Sequence, residues 1–552
     1  MISSEYLDFF ASPIGYNERQ LGEAIYAQSV ADSIRAYGKL YIAEQDNRTA
    51  LSNPFAGASW ANSDFSVGTT HTMEDTLLQE KRDAVYNLTN GNGQWLFDMM
   101  GGWINDPQIY ELTNDINEEF NFSNYIQKDT VNDIALILPD TNTAYLRTSQ
   151  PSDGDYVLSN ESVIGQNMYK QHRKHLATMG TGYDVYALST LVSGNMPEHK
   201  INVFFTPYVL TQQQRDAIDK YCKTNGQINI FLYLSGWGDE EGYDLANMTQ
   251  LTGFQFGMGY NASSGQIAIT NQNNVLTRDL TGTTFGAQIS TIKYYLQEIY
   301  VKPDSDTVVL GKLADSGKAG FVLKDMGDWT SIYAASPYLT GDLYRNILEF
   351  AGCHIYSENP SDVVWSNGAY IGVHSAAGGT KTITLPGNYA VYDVFEETYI
   401  SMDTNVIVYE NQVNDTHLFR LTPVNTYSFL TMVKGGHGSV SCTGLEQLTP
   451  GSAKTVVFQP DEGYMVKSVT VNGKPVSLGE DNTLTFTDIG ENNTIEVRFK
   501  RLPVDRTLDY EEQWVTRTTI VELPWWAVVL CIAGIAGLIV LVKWLKRRFV
   551  EG

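Results

Sequence analysis

Three charged side chains follow the apolar residues 40–43 at every second position: Glu44, Asp46 and Arg48. Alternate residues of a β-strand point to the same face, so this spacing predicts two carboxylates and a guanidinium side by side at a strand end. Such a group is either a structural ion pair or a catalytic carboxylate at the carboxyl end of a barrel strand, with neighbours that set its charge. These residues alone leave both interpretations open.

The composition is that of a large, acidic, aromatic-rich globular chain. The 552 residues carry 63 Asp and Glu against 37 Lys and Arg, a formal net charge of −26, and 12% of them are aromatic. A surface of this sign repels a phosphate backbone, so we expect no nucleic-acid partner. The length predicts three or four domains. Neutral polar ligands such as sugars suit this composition.

The spacing of cysteine and histidine does not favour a metal site. The four cysteines are far apart in the sequence, which predicts neither a disulfide framework nor a zinc cluster: Cys222, Cys353, Cys442 and Cys531. His172 and His175 lie among Lys and Arg on a predicted helix, and a solvated helical face is favoured there over a metal site. No strand is followed by G-x-G-x-x-G, so no cofactor is expected.

The C-terminal segment predicts a membrane anchor. An apolar span begins at Trp525 and ends at Leu545, long enough to cross a hydrocarbon core, and Lys546, Arg547 and Arg548 follow it. The positive cluster places the tail in the cytoplasm and the bulk of the chain outside the cell. The first ten residues show no export signal, which conflicts with that orientation unless the natural start lies upstream or the span itself directs insertion.

The order of predicted strands and helices divides the chain into α/β and then β regions. Residues 1–125 alternate strand and helix as in a parallel sheet or barrel, with helices predicted at 21–38 and 72–91, and residues 126–358 repeat that alternation in a doubly wound α/β pattern. Residues 359–424 predict a small β-sandwich, and residues 425–501 a second β unit with an Asn472-Gly473 hairpin turn. We expect a linker at 502–523, a transmembrane helix at 524–545 and a basic tail at 546–552.

Several stretches together resemble glycoside hydrolase family 42, the β-galactosidase type. YLDFFASPIGYNER followed by DSIRAYGKLYIAEQDNRT resembles the sixth and seventh strands of that family's barrel, and GNGQWLFDMMGGW its eighth. The stretch from DWTSIYAASPYLTG to CHIY resembles the end of the family's trimerisation-type, amidotransferase-like domain. NGAYIGVHSAAGGTKTITLP and YDVFEETYI resemble its closing β domain. The resemblance covers residues 1–424, of which 1–125 would be the last three strands of a (β/α)8 barrel.

The resemblance implies roles for residues at the ends of these strands. Glu44 occupies the position of the nucleophile of a retaining glycosidase, which works opposite a second, protonated carboxylate. Arg48 would hold Glu44 ionised, and Asp46 would bind sugar hydroxyls or orient Arg48. A sugar platform with a hydroxyl acceptor is expected from Trp95, Asp98 and Trp103, with a capped barrel mouth as the alternative. Tyr16 and Arg19 are weaker candidates for the same rim.

The family's acid/base residue follows its fourth strand, whereas this sequence begins at about the sixth. We therefore expect an N-terminally incomplete enzyme, with a late start or a split gene favoured over a decayed paralogue. A separate chain carrying the other barrel half, a homotrimer and an oligo- or polysaccharide substrate are the implied partners. Residues 430–500, with GGHGSVS and PDEGYMVKSVTVNGKPV, resemble the internalin-type surface repeat. The alternative function is a non-catalytic surface protein that binds sugar through Trp95 and Trp103.

Overall fold

The computed structural model describes residues 2–16, 18–55, 68–98, 101–126, 131–140, 169–280, 282–286, 296–479 and 481–502. Met1–Lys500 forms one compact unit, and Arg501–Gly552 is a second, of which only the first two residues are described. The predicted linker, span and basic tail at 502–552 therefore lie almost entirely outside the described residues. The account below concerns the first unit. The domain boundaries proposed within it remain predictions.

A three-stranded parallel sheet carries the predicted catalytic residue. Its strands β1 (Phe9–Pro13), β2 (Leu40–Gln45) and β3 (Gly93–Leu96) pair in that order, with β2 in the centre. Pro13, Glu44 and Trp95 are register partners across the sheet. Because parallel strands in register place partners on one face, these three side chains share a face at the carboxyl end.

The two faces of this sheet differ sharply in burial. Tyr41 and Ala43 are fully buried in the core that the sheet shares with the following helices. The opposite face keeps Phe9 58% exposed, Leu40 46% and Trp95 42%. Parallel sheets are ordinarily covered on both faces, so this face is unusually open, and Glu44 lies on it.

Three helices accompany the sheet: α1 (Ala31–Ala36), α2 (Met73–Thr89) and α3 (Pro107–Ser123). Thr72 caps α2 by accepting a hydrogen bond from the amide of Asp75, and Asp106 caps α3 directly before its first-turn proline. α2 packs Val85, Tyr86 and Leu88 into the core behind β2. A short 3₁₀ helix, Ala50–Phe55, follows the loop after β2.

The membrane expectation is corrected by the structure. No helix among the described residues is long and apolar enough to cross a membrane. The longest of these, α2 and α3, have 17 residues each and carry several carboxylates along their length. The segment between Trp525 and Leu545, which suggested the anchor, lies outside the described residues. The predicted transmembrane helix, lipid partner and single-pass extracellular placement are therefore withdrawn, and the fold class is mixed α/β.

Residues 134–334 build a mixed sheet with parallel and antiparallel halves. Five strands, in the order β5-β4-β6-β7-β14, are parallel, and β13, β12, β9 and β10 continue the sheet antiparallel. β11 pairs with β13 and β8. The strands are β4 (Ile134–Leu138), β5 (Asp184–Ala187), β6 (Ile201–Phe204), β7 (Ile228–Leu232), β8 (Gln255–Ser263), β9 (Gln266–Ile269), β10 (Thr284–Gly286), β11 (Leu296–Lys302), β12 (Val308–Leu313), β13 (Ala319–Asp325) and β14 (Thr330–Ala334).

Helices cover the parallel half of this sheet. They are α4 (Tyr169–Ala177), α5 (Leu188–Val192), α6 (Gln212–Cys222), α7 (Leu245–Thr252) and α8 (Gly341–Phe350), with a 3₁₀ turn at Val275–Thr277. The solvated face expected for α4 is wrong at His172, which is fully buried. Its Nε2 lies 2.5 Å from the Tyr344 hydroxyl, and burial lowers its pKa to about 3. His172 is therefore a neutral core residue.

Two all-β units complete the compact part of the chain, Met1–Lys500. The first has the strand order β15-β16-β19-β17-β18, and the second combines the order β22-β20-β27-β24-β25 with a small β21-β23-β26 sheet. The strands are β15 (Asp362–Ser366), β16 (Tyr370–Ser375), β17 (Gly379–Asp393), β18 (Thr398–Asn411), β19 (Thr416–Pro423), β20 (Tyr427–Val433), β21 (Gly438–Val440), β22 (Gly444–Leu448), β23 (Lys454–Pro460), β24 (Tyr464–Val471), β25 (Lys474–Val476), β26 (Thr483–Phe486) and β27 (Asn493–Arg501). Each unit has its own apolar core.

Candidate active site

Glu44 is the penultimate residue of the central strand β2 and lies on its open face. Its neighbours across the sheet are Pro13 on one side and Trp95 on the other. Adjacent strands are about 4.8 Å apart, so the indole and the carboxylate emerge side by side. The buried residues Tyr41 and Ala43 hold the strand from behind. A partly buried carboxylate is thus presented next to an exposed aromatic ring.

The electrostatic surroundings of Glu44 come from two groups. Burial raises the pKa of Glu44, and the negative charge of Asp46 raises it further, whereas the Arg19 guanidinium lowers it. Asp46 is the one carboxylate among the described residues that acts on Glu44 in this way. The arginine that lowers the pKa of Glu44 is Arg19, and the role that the resemblance implies for Arg48 stays a prediction.

Asp46 is held by a buried ion pair and a tyrosine. The Arg19 Nη1 lies 2.5 Å from Asp46 Oδ1, and the Tyr16 hydroxyl donates to Oδ2 at 2.9 Å. Arg19 is fully buried, stacks 4.3 Å over the Tyr16 ring and donates to the carbonyls of Ile14 and Gly15. Both Asp46 oxygens are therefore bonded, which suits a positioning role and not proton donation.

Tyr16 joins the rim of the site to this ion pair. Its side chain is 37% exposed, and its pKa is raised by burial and by the hydrogen bond to Asp46. The structure thus brings together three residues that the sequence had placed on two different strand ends: Tyr16, Arg19 and Asp46. Tyr16 is partly exposed, while Arg19 is buried against its ring.

A buried polar network behind the site was not found by sequence reasoning. Asn47 donates to Asp83 at 2.7 Å and faces Glu80 at 3.4 Å. Arg82 pairs with Asp83 at 2.8 Å and also donates to the carbonyl of Arg19. All these side chains are at most 6% exposed. The network connects the segment that carries Asp46 to α2. In the sequence, the available signal for this network was the set of polar residues on the inner face of a helix that is otherwise amphipathic.

Arg48 lies beyond the end of strand β2. Burial lowers the pKa of Arg48, and the charge of Asp46 opposes that shift. Its carbonyl accepts a hydrogen bond from the amide of Thr70 at 2.8 Å. β2 ends at Gln45, so the alternation that grouped Glu44, Asp46 and Arg48 does not continue to Arg48.

The aromatic platform consists of Trp95, with Phe97 5.0 Å away between ring centres. Trp103 does not belong to it, because this residue is 2% exposed and its carbonyl accepts a hydrogen bond from Thr49. Asp98 accepts hydrogen bonds from the amides of Gly101 and Gly102 at 2.8 and 2.6 Å. Asp98 thus closes the loop after β3, as expected for a capped strand end. Within the described residues, no cluster of side chains suited to a metal ion is present.

Comparison with known proteins gives similar solved structures but no family assignment. No family model matches the sequence, and no curated protein matches it. The β-galactosidase from Rahnella sp. R3 is similar at 12% identity and a TM-score of 0.48, over 71% of this chain and 56% of that chain. Gan42B, a GH42 β-galactosidase from G. stearothermophilus, gives 10% identity and a TM-score of 0.46, over 71% and 61%.

The β-galactosidase from Bacillus circulans sp. alkalophilus is similar at 14% identity and a TM-score of 0.45, over 62% of this chain and 52% of that chain. The chain therefore spans only about half to three fifths of the length of these β-galactosidases. Since the TM-scores lie below 0.5, the function proposed below is argued from the residues of this chain.

Proposed function

We propose that this protein is a retaining glycoside hydrolase of β-galactosidase type and that Glu44 is its nucleophile. The observation that carries the proposal is the row formed by Glu44 and Trp95 at the carboxyl end of a parallel sheet. A pyranose stacked on the indole brings its anomeric carbon towards the neighbouring carboxylate, while its hydroxyls face the polar rim at Tyr16. The resemblance of residues 1–424 to the β-galactosidase family assigns the same role to Glu44.

The chemistry proceeds in two displacements. The ionised Glu44 attacks the anomeric carbon, the glycosidic carbon–oxygen bond breaks, and the leaving oxygen takes a proton from a second carboxyl group. Water then attacks the glycosyl ester, its proton returns to that second group, and Glu44 leaves as the carboxylate. Burial and the charge of Asp46 raise the pKa of Glu44, and Arg19 opposes that rise in favour of the ionised form, which a nucleophile requires.

The second carboxyl group is not Asp46, since hydrogen bonds occupy both of its oxygens. Asp98 is also bound, to two backbone amides. We propose that a separate chain, carrying the other half of the barrel, supplies the proton donor. A homotrimer and an oligo- or polysaccharide substrate are further proposals that follow from the family resemblance.

The test is hydrolysis of an aryl β-galactoside by the protein purified from its native source and by recombinant variants of the complete protein. Glu44→Gln keeps the size of the side chain and removes the nucleophile, so we expect turnover to fall by at least about 10³-fold. Glu5→Gln, an exposed carboxylate on no strand of the sheet, is the matched control and retains activity. Full activity of Glu44→Gln would exclude the proposed role.

A second candidate function is sugar binding without turnover. It is favoured by the bonded state of Asp46, which leaves Glu44 without a free proton donor among the described residues. Binding would then depend on Trp95 alone, because Trp103 is buried. Loss of galactose binding in Trp95→Ala, together with no hydrolysis by the wild-type protein, would favour this alternative.

A further inference from the structure

A cavity of about 210 Å³ lies away from Glu44, between helices α2 and α3 and the β15–β19 unit. Its floor is apolar and buried, with side chains between 1% and 7% exposed: Val85, Leu88, Ile116 and Leu418. A cavity of about 150 Å³ with such walls binds benzene. This one has room for a somewhat larger apolar group.

Aromatic rings form part of the walls of this cavity: Phe120, Tyr392 and Phe395. Two of these rings already contact cations of the protein. The Lys81 ammonium lies 4.5 Å from the centre of the Phe395 ring, and the Arg420 guanidinium lies 4.7 Å from that of Tyr392. Ring faces attract positive charge through their quadrupole, but these two faces already hold cations of the protein, so the choice of ligand charge depends on the carboxylates of the lining.

The remaining charges of the cavity are unbalanced. Arg420 pairs with Glu119 at 3.1 and 3.2 Å, and Tyr370 donates to the same carboxylate, so this pair is close to neutral. The other charged side chains of the lining are all carboxylates: Asp115, Glu118 and Glu397. Within the part of the chain that the structure describes, none of these three forms an ion pair. The apolar floor is thus rimmed by three negative charges.

We propose that this cavity binds a small organic cation with an apolar body, such as an alkylammonium ion. The alkyl part occupies the floor at Val85 and Leu418, and the ammonium group lies at the mouth beside the three carboxylates. An anion of the same shape is repelled, and a neutral ligand gains only the apolar contact. This site is separate from Glu44 and does not depend on the glycosidase proposal.

The test compares three probes of one shape by titration calorimetry on the full chain: hexylammonium, 1-hexanol and hexanoate. We expect hexylammonium to bind at least about tenfold more tightly than 1-hexanol at low salt, and hexanoate not to bind. Added salt should weaken the binding of hexylammonium and leave that of 1-hexanol unchanged, since only the former depends on exposed charges.

Variants at the rim locate the site. Asp115→Asn combined with Glu118→Gln removes two exposed charges and should weaken hexylammonium about tenfold without changing 1-hexanol. Glu111→Gln, an exposed carboxylate of α3 outside the cavity, is the control and should leave both unchanged. Equal affinity for the alcohol and the ammonium, an unaffected rim variant, or no binding of any probe would each overturn the proposal.

Discussion

Burial decides which carboxylates near the end of β2 are available for chemistry. Glu44 is partly buried on an open face, whereas Asp46 is 6% exposed with both oxygens bonded. Glu80, on α2 behind them, is 6% exposed and has a pKa of about 8, because burial and the nearby Asp83 disfavour its charged form. Three carboxylates of one neighbourhood thus have three different roles.

Glu80 makes the stability of the protein depend on pH. Its pKa is raised from 4.5 to about 8 on folding, so the folded state binds the proton more tightly than the unfolded state. The stabilisation is therefore complete below about pH 4.5 and is lost as the pH rises to about 8, with a slope of up to about 1.4 kcal/mol per pH unit. Glu80→Gln should remove this slope from the free energy of unfolding measured between pH 5 and pH 9.

The control for this measurement is Glu74→Gln, because Glu74 is exposed in the first turn of the same helix. It should keep the slope of the wild-type protein. A Glu80→Gln protein whose stability falls with pH as steeply as that of the wild type would show that Glu80 is not the group responsible.

At the level of elements, α2 holds the site against the β15–β19 unit at one crowded point. A Cβ atom at Gly372 on β16 would lie 2.4 Å from Cγ1 of Val85 on α2, and Val85 is 1% exposed. Lys81 on the same helix pairs with Asp415 at 2.9 Å. The absence of a side chain at Gly372 therefore sets how closely the helix approaches the strand.

Gly372→Ala should destabilise the protein by about 1–3 kcal/mol through overpacking. Val85→Ala makes room for the added methyl group, so the double variant should be more stable than the sum of the two single effects, by at least about 1 kcal/mol. Chemical denaturation of the four proteins measures this coupling. Purely additive effects would contradict the close approach at this position.

Local sequence patterns predicted individual helices and turns better than they predicted the tertiary contacts of these elements. The helix expected at 72–91 is observed as Met73–Thr89, and the hairpin turn at Asn472-Gly473 is confirmed between β24 and β25. The helix expected at 21–38 is wrong before Ala31, because the chain there pairs with an earlier segment: the Gly15 amide donates to the Tyr26 carbonyl. A tertiary contact therefore outweighed the helical periodicity of the sequence before Ala31.

The strand residues of the candidate site were predictable from the sequence, whereas the residues that hold them in position were not. The alternation in residues 40–45 predicted that side chains two positions apart share a face, and the burial pattern of β2 follows that alternation as far as Gln45. The pairing of Asp46 with Arg19 joins residues 27 positions apart, which no local pattern reveals. The same is true of the burial of Trp103, which the family resemblance had placed in the sugar platform.

For the whole molecule, the sequence pattern predicted alternating α/β segments followed by β segments, and the structure is mixed α/β. The antiparallel strands β8–β13 extend the second sheet beyond the doubly wound pattern expected for residues 126–358, because short β-branched runs do not reveal strand direction. The membrane expectation came from a segment outside the described residues, and no described helix supports it.

The central claim is that Glu44 forms a covalent bond with the sugar. In the most direct measurement, the complete protein is incubated with a 2-fluoro β-galactosyl fluoride, which forms the glycosyl ester quickly and releases it slowly. The residue that carries the added mass is then located by peptide sequencing. The account predicts one sugar per chain, on Glu44, and none in Glu44→Gln. A label on another carboxylate, or no label on a protein that hydrolyses galactosides, would contradict it.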